Sequence, residues 1–163
     1  MNAVSVMTRA AEEPTLRGAL MTERNLEPAS VNVRIKISAL WTSMLFVFIY
    51  VDHYSLFRAD IRADIEAGKI SGFTINQLFL LVVTAYIAVP ALMVFLSLVL
   101  RPGVSRIANI VLGIIYALTI IGGAVGETNY YYVLGSVVEV MLLAAIVYYA
   151  WTWPKADRPA SMT

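Results

Sequence analysis

The residues that could do chemistry in this chain are few, and most stand where apolar residues are expected. Glu139 sits inside the run GSVVEVMLLAAIVYYAW, and Asp52, His53 and Tyr54 close an earlier apolar run. Asn109 is a single amide within NIVLGIIY. A charge at the centre of a membrane helix costs about 2.5–3.5 kcal/mol on insertion scales, so such a carboxyl turns toward the bundle interior. There it does one of three things. It keeps its proton and hydrogen-bonds a neighbouring helix, holding the register; it handles a proton or cation; or it recognises a ligand. Asp52 reads either as the top of a path descending to Glu139 or as part of an interfacial collar, paired with Arg58 or Arg62 while Tyr54 anchors the helix. His53 reads as a solvated interfacial imidazole with a pH-sensing role left open. Asn109, Gly113 and Ala117 follow at i, i+4 and i+8, a small-residue packing stripe whose amide is a partner for a buried Glu139. Gln77, Thr84, Ala88 and Ala91 suggest a comparable inward face on the preceding helix.

The elements that must hold these groups are apolar helices. The 163-residue chain is 60% hydrophobic and 14% charged, against roughly 45–50% and about 25% in a soluble domain. The apolar residues gather into runs near the length of about 20 residues that crosses a hydrocarbon core of about 30 Å. The expected fold is all-α: a four-transmembrane-helix bundle over 34–154, with spans near 35–57, 74–100, 107–125 and 130–153. Pro90 should kink the second span, with a neighbour satisfying the carbonyl it frees. Arg101-Pro102-Gly103 and Gly126 to Asn129 read as turns. Arg34 and Lys36 mark the entry of the first span, with Trp41 just inside, and the tyrosines Tyr130 to Tyr132 and Trp151 with Trp153 read as interface markers. Counting from Tyr130, Glu139 lies roughly 13 Å deep, and Asp52 lies about 22 Å from Ile37, about a turn shallower than Glu139 on one side. The face of Glu139 carries Tyr132, Gly135, Ser136, Leu142, Leu143 and Ile146. The face of Asp52 carries Ser38, Thr42, Leu45 and Ile49.

Charge placement sets an expected orientation. Nine lysines and arginines lie in the N-terminal segment, second loop and C-terminal segment, against three, Arg58, Arg62 and Lys69, in the first loop. The positive-inside rule then puts both termini in the cytoplasm. Residues 1–33 are polar and mixed in charge and read as a disordered tail, with Met21 an alternative start; 155–163 read as a second tail. The first loop, FRADIRADIEAGKISGF, repeats RADI and places Phe57, Ile61 and Ile65 on one helical face, with Gly68 as the stop. It reads as a short cap on the bundle or as a lid.

The chain lacks cysteine and has one histidine, which removes thiolate metal sites, Cys nucleophiles and bis-His haem. A net charge of +1 makes no case for nucleic acid. No phosphate loop, HExxH or nucleophile elbow occurs, so no catalytic, cofactor-binding or metal residue is assigned and no cofactor is expected. Taken together, RIKISALWTS, PALMVFLSLVL, NIVLGIIY, GSVVEV and YYAWTWP resemble an uncharacterised bacterial family of small four-helix integral membrane proteins, a domain of unknown function, over roughly Val33 to Pro154. The resemblance implies a prokaryotic inner membrane and carries over no site residues. The expected role is a non-enzymatic binding, transport or accessory protein. Its partners are the lipid bilayer and a small-molecule ligand the sequence does not identify, and a homo-oligomer would give transport more room than four helices do. The alternatives are a structural scaffold, or a membrane enzyme acting on a lipid-like substrate through Asp52, His53 and Glu139.

Overall fold

In an apolar medium every backbone N–H and C=O must find a partner within the protein, and a helix does this within one segment. A computed structural model describes residues 31–153; the readings of residues 1–30 as a tail with an alternative start, and of Pro154 to Thr163 as a stop and second tail, lie outside them. The described residues form α1 (Val33–Ser55), α2 (Ala59–Glu66), a hairpin of β1 (Lys69–Ile70) and β2 (Phe73–Thr74), α3 (Gln77–Val99), α4 (Pro102–Ala124) and α5 (Tyr130–Trp151). The fold is all-α apart from that hairpin, and α1, α3, α4 and α5 are long and apolar enough to cross a membrane.

Local chemistry explains the boundaries. Asn32 and Asn76 cap α1 and α3, their side-chain oxygens accepting from the N–H of Arg34 and of Phe79, both at 2.9 Å. The second span therefore begins at Gln77, and Phe73 and Thr74 belong to the hairpin. Gly68, at φ 71°, follows the end of α2 as the sequence suggests. The hairpin itself was not foreseen: its two-residue loop is Ser71-Gly72, both at positive φ, which matches the twist of the paired strands. The third helix starts at Pro102 rather than near Ile107, because a proline at the first helical position loses no hydrogen bond.

α5 packs against both α1 and α4, α1 also packs against α3, and α3 and α4 meet little. The core comprises Ile37, Trp41 and Met44 of α1, Met93 of α3, Tyr116 and Ile120 of α4, and Leu143, Ile146 and Ala150 of α5. Two glycines set the closest approaches. A Cβ on Gly135 would collide with Val51, and one on Gly113 would lie 2.8 Å from Val147 Cγ2. Leu78, Leu81, Phe95, Leu118 and Leu134 point outward, as they do when the surrounding solvent is hydrocarbon.

The inward face of α3 differs from the expected one. Pro90, Met93 and Ser97 are buried, while Gln77, Thr84, Ala88 and Ala91 are exposed. Pro90 has no N–H for the Tyr86 carbonyl one turn back, so that carbonyl needs an outside donor, and the Tyr116 hydroxyl of α4 supplies it. Thr84 satisfies its own hydroxyl on Leu80 O at 2.7 Å and needs no neighbour. At the far end of α3, Leu96 O accepts from Leu100 N at 3.0 Å. Ser97 O accepts from Ser105 Oγ at 3.4 Å, and Leu98 O from Arg34 Nη1 at 2.6 Å. Arg106 Nη2 reaches Trp151 O at 3.2 Å at the end of α5. Two arginines thus cap the negative ends of two helix dipoles at what is called here the basic end.

Tyr116→Phe is expected to lower stability by about 1–3 kcal/mol, because a buried carbonyl loses its donor. In a Pro90→Ala background residue 90 regains an N–H for Tyr86 O, so the same change should cost clearly less. Reversible unfolding in mixed micelles measures both, and equal costs in the two backgrounds would refute the pairing.

Candidate functional site

All four long helices line one cavity of about 120 Å³. α1 contributes Phe48, Val51 and Asp52; α3 contributes Tyr86; α4 contributes Thr119 and Ile120; α5 contributes Tyr132, Ser136 and Glu139. Glu139 is only 3% exposed, and its Oε1 is buried with no hydrogen-bond partner among the described residues. The buried stripe of α5 around it is Gly135, Ser136, Glu139, Leu143, Ile146 and Ala150, so the carboxyl points inward as its face implied. The other polar groups in the wall are Asp52 and four hydroxyls. Two of these are already engaged, since Tyr86 and Thr119 share a hydrogen bond of 2.6 Å. Among the described residues no lysine, arginine or histidine lines the cavity.

The sequence candidates divide. Asp52 joins Glu139 in the wall, but at its edge: the inward stripe of α1 is Ile37, Ser38, Trp41 and Met44, and Asp52 itself is exposed. His53 and Tyr54 stay outside, because successive residues turn about 100° around a helix. The His53 ring packs edge-on to Phe57 at 5.6 Å, and Tyr54, 51% exposed, stacks toward Tyr50 and Phe57. Asn109 is not a partner of Glu139. Its Oδ1 accepts from Trp41 Nε1 at 2.7 Å and Ser97 Oγ at 3.2 Å, and its Nδ2 donates to Ser105 O at 2.7 Å. Asn109 lies about 10 Å along α4 from the basic end, whereas Glu139 is about 18 Å from that end along α5, so the two work at different depths. Trp41, just inside the first span, is wholly buried as the donor of this cluster. Ser97 and Ser105 were missed, since an isolated serine in an apolar run carries little signal. The three tyrosines do not form one belt: Tyr130 is exposed, Tyr131 bonds Ser55 Oγ at 2.9 Å, and Tyr132 lines the cavity.

Arg58 does not pair with Asp52. It bridges Asp60 at 2.6 Å and Glu127 at 3.0 Å, tying the start of α2 to the α4–α5 turn. Glu127 Oε1 also accepts from Thr128 N at 2.9 Å, Asn129 N at 3.0 Å and Asn129 Nδ2 at 2.6 Å. The Asn129 amide groups, followed by the Arg58 guanidinium, hold the Glu127 carboxyl down at about 2. Arg58 is raised in turn, chiefly by Asp60 and then by Glu127 and Tyr131, and Asp60 is lowered by Arg58.

Four membrane-length apolar helices around a polar-lined cavity define a multi-pass membrane protein. Within that class the chain belongs to the family described as "Family of unknown function (DUF6326)", whose model matches residues 29–160. No curated protein and no solved structure matches it.

The Glu127 turn is expected to be acid-sensitive. Its folded value of about 2 lies below its ordinary 4.5, so its contribution is complete above that ordinary value and is lost as pH falls toward the lower one. Thermal melts across this range should show the native chain losing stability more steeply than Glu127→Gln; superimposable pH profiles would show that the turn contributes nothing.

Proposed function

We propose that this is a multi-pass inner-membrane protein, both termini in the cytoplasm, that binds a small positively charged species at the Asp52–Glu139 cavity as a non-enzymatic binding or transport protein. One observation carries the reading: among the described residues the buried Glu139 has an oxygen with no partner, shares its cavity with a second carboxyl, and has no basic side chain in the wall. A register pin would hydrogen-bond across helices, as Trp41 and Asn109 do in the other half of the bundle. Two carboxyls in an apolar setting are instead compensated by protons or by a bound cation. An enzyme using His53 would need the imidazole in the cavity, and it packs on Phe57.

The orientation is supported by charge. Arg34, Lys36, Arg101 and Arg106 gather where α1 and α4 begin and α3 and α5 end. Arg34, Lys36 and Arg106 there lie over the rings of Trp153, Tyr149 and Trp151. That basic end suits the cytoplasmic side, and the cavity then faces the outer half of the membrane. The family resemblance supports a bacterial inner membrane. Passage across the whole bilayer would use an oligomer, because a cavity of about 120 Å³ does not extend through one bundle.

Glu139→Gln is expected to insert and fold but to abolish proton-coupled flux in reconstituted vesicles, whereas a scaffold would be unchanged or stabilised by the neutral amide. Flux that survives the change intact would sink the reading. Because the chain has no native cysteine, topology is open to single-cysteine labelling. Lys69→Cys should react with a membrane-impermeant maleimide on intact spheroplasts, and Gly103→Cys only after permeabilisation; the reverse pattern would overturn the orientation.

A further inference from the structure

Resting on the cation-binding reading of the same cavity, three observations narrow the class of ligand. The first is size. At about 30 Å³ per water, the cavity of about 120 Å³ holds roughly four waters' worth of space, far more than a proton or a dehydrated metal ion needs. The second is the wall. Phe48, Tyr86 and Tyr132 line the same cavity as the two carboxyls, with the Phe48 and Tyr86 ring centroids 6.3 Å apart. A divalent ion wants a shell of oxygen or nitrogen ligands, and among the described residues no three His, Asp or Glu side chains gather to give one. Aromatic faces with a carboxylate counter-charge suit a diffuse organic cation. The third is the neighbourhood. Ser136 also lines an apolar groove of about 330 Å³ between α4 and α5, walled by Val125, Val133, Val137, Val140 and Met141. Val137 and Met141 there are at least half exposed and would face lipid.

We propose that the cavity takes the compact ammonium head of an amphipathic organic cation, whose apolar arm lies past Ser136 in the α4–α5 groove. Charge is met by Glu139 and Asp52, the alkyl surface of the head by the three rings, and the arm by the groove. Such a ligand partitions into the membrane and reaches the site laterally, and the groove is open on that side.

The test is titration calorimetry on the full chain in phosphatidylcholine nanodiscs. Benzyltrimethylammonium is the probe; neopentylbenzene is its neutral isostere, and tetramethylammonium is the head alone. The native chain should bind benzyltrimethylammonium saturably and neopentylbenzene at least about tenfold more weakly, with a comparable loss for the cation in Glu139→Gln. Tyr132→Phe should retain binding and Tyr132→Leu lose it. Val137→Trp, which fills the groove from an exposed position, should weaken benzyltrimethylammonium and spare tetramethylammonium. Asp52→Asn provides the carboxyl test should Glu139→Gln fail to fold. Equal binding of the neutral isostere, displacement by equimolar sodium, or indifference of a folded carboxyl variant would each overturn the proposal. Glu139-dependent proton flux without any binding of benzyltrimethylammonium would overturn the organic-cation assignment alone; absence of both would remove the cavity reading as well.

Discussion

The hydroxyl of Tyr116 on the carbonyl of Tyr86 is the contact that sets the inward face of α3. Pro90 creates the need for it by withholding an N–H, and an apolar surround makes that need costly to ignore. Meeting it turns the Tyr86–Pro90–Met93–Ser97 side of α3 inward and brings Tyr86 beside the ring of Tyr116 at 4.7 Å. The Tyr116 ring in turn meets Trp41 edge-on at 6.1 Å, and Trp41 donates to Asn109. A chain of satisfied donors therefore runs from the level of the cavity toward the basic end and leaves α3 anchored mainly through α1.

The other half is built differently. Gly135 lets α1 and α5 approach closely at Val51, and beside that contact the four helices part around Asp52 and Glu139. Toward the basic end Ser38, Ser97, Ser105 and Asn109 are all hydrogen-bonded; in the cavity, a buried glutamate oxygen has no partner among the described residues. The difference is what supports the proposed site there, because an unpartnered buried carboxyl costs stability that packing alone does not return. The Arg58–Glu127 bridge closes the hairpin end of the same half, joining the α2 segment to the α4–α5 turn.

Much of this was legible in order along the chain. The four apolar runs, the outside donor that Pro90 calls for, the stop at Gly68 and the inward turn of Glu139 all follow from periodicity and from the cost of unpaired polar groups. What was not legible concerns partners. Asn109 was matched to Glu139 because both are polar and inward, yet depth separates them. Trp41 was placed just inside the first span, but nothing in the run showed that its indole N–H has a buried acceptor in Asn109. The face of α3 was read from small residues, although the carbonyl freed by Pro90 governs it. The Ser71-Gly72 hairpin went unseen because its strands are only two residues each.

The sequence by itself determined the apolar helices and the depth of each polar residue along its own helix, since hydrophobicity, proline and rise per residue are properties of one segment. Only the tertiary structure decided that Asp52 and Glu139 share a cavity while His53, Tyr54 and Asn109 do not. The reason is that helices in an apolar medium are held in register by a handful of specific hydrogen bonds and close glycine contacts, and these relate side chains far apart in the chain in ways no single segment encodes.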